Sequence, residues 1–279
     1  MLWLVAVTAA YGQGKVLESK KFASKILNRE VAYSIYLPED YGVSERMYPV
    51  LYLLHGWSDN ETSWLQMGHV KTIADNAIAS GCATEMIIVM PDAGETWYVD
   101  SYDGKERYEQ MFFEELIPYI ESTYRARPDR QYRAIAGLSM GGYGSFLYSL
   151  HHPDYFTACA PLSAAIYTDE MMEKSKGNVR GKLFDKLYGP GTLTEHWYKN
   201  SVLRLLENLP DDRRPDIYYY IDCGDEDTLL HGNNLIHELM QKKGIRHEFR
   251  VRDGGHTWTY WRTALPEVMR FVSARFDRS

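Results

Sequence analysis

Residues 31–38, VAYSIYLP, alternate apolar and polar side chains up to a proline, which predicts a half-buried strand and an edge hairpin around it. Five later stretches do not alternate. YPVLYLLHG (48–56), MIIVMPDAG (86–94), YRAIAG (132–137), FTACAPLSAA (156–165) and DIYYYIDCG (216–224) are continuous apolar runs closed by glycine, proline or small residues, as strands covered on both faces should be. Between them lie helical patterns. In residues 107–124, Tyr108, Phe112, Leu116, Ile120 and Tyr124 recur every fourth position, with Pro118 as a point for a kink. Residues 233–244 place Leu235, Ile236, Leu239 and Met240 on one face, with basic residues and a glycine at the end. Strand and helix in alternation predict an α/β fold: a mostly parallel sheet, helices on both faces, and an antiparallel N-terminal edge.

Residues 166–214 break this rhythm with many charges, the turn sequence YGPG and the cluster His196-Trp197-Tyr198. They read as an insertion between two strands that either roofs the site or covers a sheet edge, within a single domain over residues 15–279. Residues 1–14 look like a short leader: Leu2 to Ala10 are apolar and small residues follow, although the positively charged start is missing. The expectation from this is export, to the periplasm or beyond, with a cytoplasmic location as the alternative.

At 279 residues and 45% hydrophobic content the chain is long enough for one large core, and its net charge of −7 argues against capture of nucleic acid or an anionic membrane. Cys82, Cys159 and Cys223 have no metal-type spacing and read as buried thiols. Neither a metal nor an organic cofactor is implied. The chain holds 22 tyrosines and 7 tryptophans, enough rings to furnish a groove for aryl groups or sugars even if most of them fill the core.

The chemistry concentrates at Gly137-Leu138-Ser139-Met140-Gly141. A serine between glycines, directly after an apolar strand and before a helical segment, suits a sharp strand-to-helix turn that exposes the hydroxyl. Serine needs a base to take its proton and an acid to orient that base. Downstream, His256 follows a glycine pair, and Asp222, Asp225, Glu226 and Asp227 crowd the end of a buried strand. The turn at Gly224 gives Asp227 the reach across the strand ends, with Asp225 next; Asp222 lies inside the apolar run and reads as a strand or turn residue. The order serine, acid, histidine is that of α/β-hydrolases. The N–H of Met140, after the nucleophile, and that of Trp57, after the strand ending His55-Gly56, are the candidate donors to a developing oxyanion.

The segments YPVLYLLHGWSDNETSW, MIIVMPDAG, RAIAGLSMGGYGS, CGDEDTLL and RDGGHTWTYW together resemble the esterase family of α/β-hydrolases. That family takes in feruloyl esterases, acetylxylan esterases of carbohydrate esterase family one, short-chain tributyrin esterases and S-formylglutathione hydrolases. The resemblance runs from about residue 20 to the C-terminus. It implies Ser139 as nucleophile, Asp227 as acid, His256 as base, and Trp57 and Met140 as oxyanion donors. The expected function is hydrolysis of ferulic or acetyl esters of plant cell-wall polysaccharide. Trp57, Trp64, Trp97, Tyr98 and Trp258 are the rings suited to that substrate, with Trp57, Trp97, Tyr98 and Trp258 the expected binding residues. The alternatives are a short-chain carboxylesterase, an S-formylglutathione-type thioester hydrolase, or a non-catalytic carbohydrate-binding member of the fold. Oligomeric state is left open.

Overall fold

A computed structural model describes residues 13–210 and 215–276. The described residues begin with the hairpin β1 (Lys15–Ser24) and β2 (Arg29–Leu37), followed by β3 (Val50–Leu54), α1 (Ser63–Gln66), α2 (Val70–Ala79) and β4 (Ile87–Pro91). Then come α3 (Tyr108–Met111), α4 (Ile117–Thr123), β5 (Arg133–Leu138), α5 (Met140–His151) and β6 (Ala158–Leu162). Four short helices follow: α6 (Asp169–Ser175), α7 (Val179–Tyr188), α8 (Glu195–Asn200) and α9 (Val202–Glu207). The last described elements are β7 (Tyr218–Gly224), α10 (Leu230–Lys242), β8 (His247–Arg252) and α11 (Trp258–Phe276).

The eight strands form one sheet in the order β1-β2-β4-β3-β5-β6-β7-β8, in which β1, β2 and β4 pair antiparallel and every other pair is parallel. This is the expected architecture, antiparallel edge included. The leader expectation lies almost wholly on residues 1–12, outside the described residues.

Strand periodicity divides the core in two. Val50, Tyr52 and Leu54 of β3 point into one layer with α3, α4, α5 and α10, while Leu51 and Leu53 point into the other with α2 and α11. Both faces are therefore dry, which is why the central strands show no polar alternation. The stripe at every fourth residue of 107–124 is also realised: Tyr108, Phe112, Leu116 and Ile120 are buried. A strict step of four drifts off one face of a helix with 3.6 residues per turn. The backbone corrects this with a π turn over Phe112–Leu116, between α3 and α4, which also brings Pro118 into the first turn of α4, where its missing N–H costs nothing.

Helices α6 to α9 occupy most of the irregular segment and cover the face that carries α5. Tyr143 on α5 donates its hydroxyl to the Asn200 carbonyl at 2.7 Å, and Trp97 packs edge-on against Tyr143, Tyr167 and Phe184. A second tie is ionic. His151 Nδ1 lies 2.7 Å from Glu109 Oε1 and its Nε2 lies 2.9 Å from the Lys199 carbonyl. Both ring nitrogens face acceptors, so both carry protons. The Glu109 carboxylate also meets His152 Nε2 at 2.9 Å, and Asp100 adds further negative charge nearby.

Burial works against the charged form of His151, but the Glu109 hydrogen bond and charge outweigh it and raise its pKa; Glu109, buried as well, is held below its ordinary value by the two histidines. A raised histidine stabilises fully below its unfolded pKa of about 6.5 and loses that contribution as the pH climbs through the folded value. His151→Gln is therefore expected to lower stability by roughly 1–2 kcal/mol at pH 6 and by clearly less at pH 9. Thermal melts of both proteins across that range check this; an equal loss at both pH values would refute it.

Of the cysteines, Cys159 and Cys223 are buried as expected, but Cys82 is exposed, because it sits in the turn after α2 rather than in a strand.

Candidate active site

Strands β3, β5 and β6 deliver Ser139. Pairing of Leu54 with Gly137 and of Leu138 with Leu162 brings the end of β5 between its neighbours, and the chain turns there with Ser139 at φ 55°, ψ −115°. That conformation is unfavourable for a residue with a Cβ. It is held by packing too close for side chains: a Cβ on Gly137 would lie 2.5 Å from the Gly141 carbonyl oxygen, and one on Gly141 would lie 2.5 Å from that of Leu54. The glycines of the motif are thus required by contact as well as by the turn. The Ser139 N–H donates to the Leu162 carbonyl at 2.9 Å and its own carbonyl accepts from Ala165 N–H at 2.9 Å, pinning the turn on both sides.

His256 lies on the short segment between β8 and α11. Its Nε2 is 2.9 Å from Ser139 Oγ and its Nδ1 is 2.8 Å from Asp227 Oδ2. An ionised carboxylate only accepts, so Nδ1 carries the proton and Nε2 presents its lone pair to the serine. Burial works to raise the Asp227 pKa, but hydrogen bonds from His256, from the Leu229 N–H and from Ser163 prevail and hold it below its ordinary value. Trp261 stands edge-on to the imidazole, with ring centres 4.8 Å apart, and anchors its own indole N–H on Ser163 Oγ at 3.1 Å. The three side chains singled out in the sequence are thus brought into one hydrogen-bonded line. Asp225 instead accepts the Gly254 N–H at 3.0 Å, shaping the His256 loop.

Asp222 is fully buried and has a role beyond that of a strand or turn residue. Its Oδ2 accepts from Tyr220 OH at 2.8 Å and from the Arg252 guanidinium at 2.7 Å, while Oδ1 accepts from Tyr260 OH at 2.5 Å. Arg252 closes β8 and Tyr260 lies in the first turn of α11, so one carboxylate ties down both ends of the segment bearing His256. An aspartate inside an apolar run was the available signal, since a charge is kept there only when it is paired.

The end of β3 lies beside the serine, where a Cβ on Gly56 would come within 3.5 Å of Ser139 Cβ. Asp59 accepts the Gly56 N–H at 3.2 Å, and burial pushes its carboxyl above the ordinary range. Among the described residues, the Trp57 N–H donates to no other group. Met140 opens α5, where an N–H has no partner within its own helix and the helix dipole is positive. His55 braces this corner: its Nε2 accepts from Ala93 N–H at 2.8 Å, which leaves Nδ1–H for the Gly56 carbonyl at 2.8 Å. His55 is therefore a neutral structural histidine.

The expected substrate rings divide. Trp97 is 3% exposed, and Tyr98 and Trp64 not at all; Tyr98 packs between α5 and Tyr108 and donates to the His55 carbonyl, and Trp64 donates to that of Leu54. The expectation that Trp97 and Tyr98 line a binding groove is corrected: they support the site from within the core. Trp57 and Trp258 remain partly open. Trp258 packs on Trp64 and Trp261, next to His256, whereas Trp57 donates its indole N–H to Glu95 at 2.9 Å and has the Arg180 guanidinium 5.2 Å over its ring. Burial pushes the Cys223 thiol up to about 12, so it is no rival nucleophile. Among the described residues, no cluster of histidine, cysteine and carboxylate could hold a metal ion.

The family described as "Putative esterase" matches residues 24–272. An endo-1,4-beta-xylanase/feruloyl esterase of Xylanibacter ruminicola is 28% identical over 260 residues, covering 90% of this chain and 30% of that protein. An acetyl esterase of Caldicellulosiruptor saccharolyticus is 23% identical over 276 residues, 92% of this chain and 97% of its own. Esterase Rv1288 of Mycobacterium tuberculosis is spanned over 55% of its length. The chain thus spans from about a third to about half of the first curated relatives it matches. A solved ferulic acid esterase superposes with a TM-score of 0.83 at 38% identity, covering 95% of this chain and 99% of that one.

Proposed function

This chain belongs to the esterase family whose pattern residues 24–272 match, and from that premise we propose that it is a serine esterase releasing hydroxycinnamoyl or acetyl groups from plant cell-wall polysaccharide. The observation that carries the reading is the continuous line from Asp227 through His256 to Ser139. His256 Nε2 takes the Ser139 proton as the oxygen attacks the ester carbonyl. The tetrahedral oxyanion is stabilised by the Trp57 and Met140 N–H groups and by the positive end of α5. His256 then gives the proton to the leaving alcohol oxygen. Water, deprotonated by the same nitrogen, attacks the acyl-serine, and collapse of the second tetrahedral species releases the acid and restores the hydroxyl. Asp227 remains ionised and keeps the imidazole tautomer fixed.

An aromatic acyl group is favoured by the groove of about 530 Å³ that borders Trp57, Tyr167 and Arg180. Arg180 donates to Tyr167 OH at 2.5 Å, and its guanidinium carbon lies 5.2 Å from the centre of the Trp57 ring, a surface suited to a planar, electron-rich ring. We expect kcat/KM for methyl ferulate to exceed that for para-nitrophenyl acetate after correction for leaving-group reactivity, and Arg180→Ala to raise KM for methyl ferulate about tenfold, a loss of roughly 1.4 kcal/mol. Steady-state kinetics on methyl ferulate, para-nitrophenyl acetate and butyrate, and S-formylglutathione decide this. A preference for S-formylglutathione or for plain aliphatic esters sinks the hydroxycinnamoyl reading.

A further inference from the structure

Trp57 lines the groove at Arg180 and is tied by its indole N–H to Glu95. Beyond the Glu95 carboxylate that accepts its indole N–H lies a second cleft, of about 660 Å³, between residues 93–106 and α7. No step of the mechanism above uses it. We propose that this cleft is the subsite for the alcohol half of the ester, and that its ligand is a neutral oligosaccharide chain. The proposal rests on the esterase reading above.

Three observations favour that ligand. The volume lies within the range of about 300–1,000 Å³ usual for small-molecule sites, and the floor is apolar, made by Leu183, Leu187 and Pro190 of the α7 region. Two pairs of charged groups at its rim are matched: Arg29 forms a forked pair with Glu106, and Lys105 pairs with Asp103 at 2.9 Å, while Glu95, Asp185 and Lys186 also line the cleft. With one more acid than base on its lining, the cleft suits hydroxyl groups better than a carboxylate or phosphate, and it contrasts with the groove at Arg180. Finally, Tyr102 is 49% exposed on the lining, an aromatic platform against which the C–H face of a sugar can pack.

The cleft is also built in advance. Tyr102 N–H donates to the Leu187 carbonyl at 2.8 Å, joining the two walls. Ser101 Oγ donates to Asp103 at 2.7 Å and accepts the Glu106 N–H at 3.0 Å, fixing the loop between them. A preformed wall binds a flexible chain without the added cost of ordering itself.

The test reads a ratio within each protein. For ferulate esterified to pentose oligosaccharides of increasing length, kcat/KM relative to methyl ferulate is expected to rise at least tenfold in the wild type as sugars are added. In Tyr102→Ala the rise should disappear, and Tyr102→Phe, which keeps the ring, should restore most of it. Melting temperatures of both variants confirm folding, which the exposure of Tyr102 favours. A ratio that stays flat with length, or one that climbs equally in Tyr102→Ala, overturns the proposal. The same ratio is read in parallel with acetylated pentose oligosaccharides against ethyl acetate. A chain inactive on ferulates therefore fails the hydroxycinnamoyl reading while the cleft is still decided by its own ratio.

Discussion

Ser139→Ala is expected to lower kcat/KM for activated esters by about four to six orders of magnitude, and adding His256→Ala to it to cost almost nothing more. The reason is that the two side chains act as one unit. Nε2 is 2.9 Å from Oγ and serves only to accept and return that oxygen's proton, so once the oxygen is gone the imidazole has no task. The residual rate is then expected from the proposed oxyanion donors, the Trp57 and Met140 N–H groups, and from binding. Independent, multiplying losses in the double variant would show that His256 has a second role or that Ser139 is not the nucleophile. Stability should move the other way. Ser139 holds a backbone conformation of a kind that costs about 1–3 kcal/mol with a side chain present. Ser139→Gly removes that cost, offset by the entropy of a freer unfolded chain, and should leave an inactive protein that melts at or above the wild-type temperature. Calorimetry beside the kinetics reads both effects, and a lower melting temperature for Ser139→Gly would remove the strain argument.

The second large effect is expected at a residue that touches no substrate. Asp222→Ala leaves the Tyr220 and Tyr260 hydroxyls buried without their acceptor and the Arg252 guanidinium without its partner. Breaking a buried ion pair by removing one member costs about 3–5 kcal/mol; with Arg252 one-third exposed, roughly 2–4 kcal/mol is the fair expectation. The functional loss is separate from this. Arg252 and Tyr260 flank the segment that carries His256, so relaxing them loosens the imidazole against both Ser139 and Asp227. A drop in kcat of about ten- to a hundredfold with little change in KM is expected at temperatures where the variant remains folded. Denaturant titrations give the first number and kinetics the second. Asp222→Asn, which keeps one acceptor oxygen and the shape, should recover part of both. A variant that is destabilised yet fully active would reduce Asp222 to a core residue with no hold on the histidine.

The sequence made the centre of the fold readable and its rim obscure for one reason, solvent. Strands β3 to β7 are buried on both faces, so they stand out as unbroken apolar runs. β1, with Lys15, Glu18, Lys20 and Lys21, and β8, HEFRVR, lie at the two edges, and their side chains do not differ in character from those of a loop. The candidate site was legible where chemistry dictates position along the chain: a serine at a strand-to-helix turn, then an acid and a histidine beyond later strands. Burial of individual rings was not legible, because a tryptophan in a loop sequence has the same composition whether it faces water or the core. Trp97 and Trp57 illustrate this, one buried against Phe184 of α7 and the other partly open between Glu95 and Arg180. Asp222 was passed over because its partners, Tyr220, Arg252 and Tyr260, meet only after β7, β8 and α11 have assembled.

Helices α6 to α9 enter after β6 and leave before β7, yet Ser139, Asp227 and His256 all lie outside them. The clefts lined by Trp57 and by Tyr102, by contrast, both take a wall from α7 or its neighbours. On the proposed reading, helices α6 to α9 contribute to selectivity without carrying Ser139, Asp227 or His256, while Trp57 and Tyr102 supply facing walls from outside them. Grafting a different helical segment at these two boundaries, with Tyr143 and Trp97 kept as its footing, offers a way to change which ester is accepted while the machinery that breaks it is inherited intact.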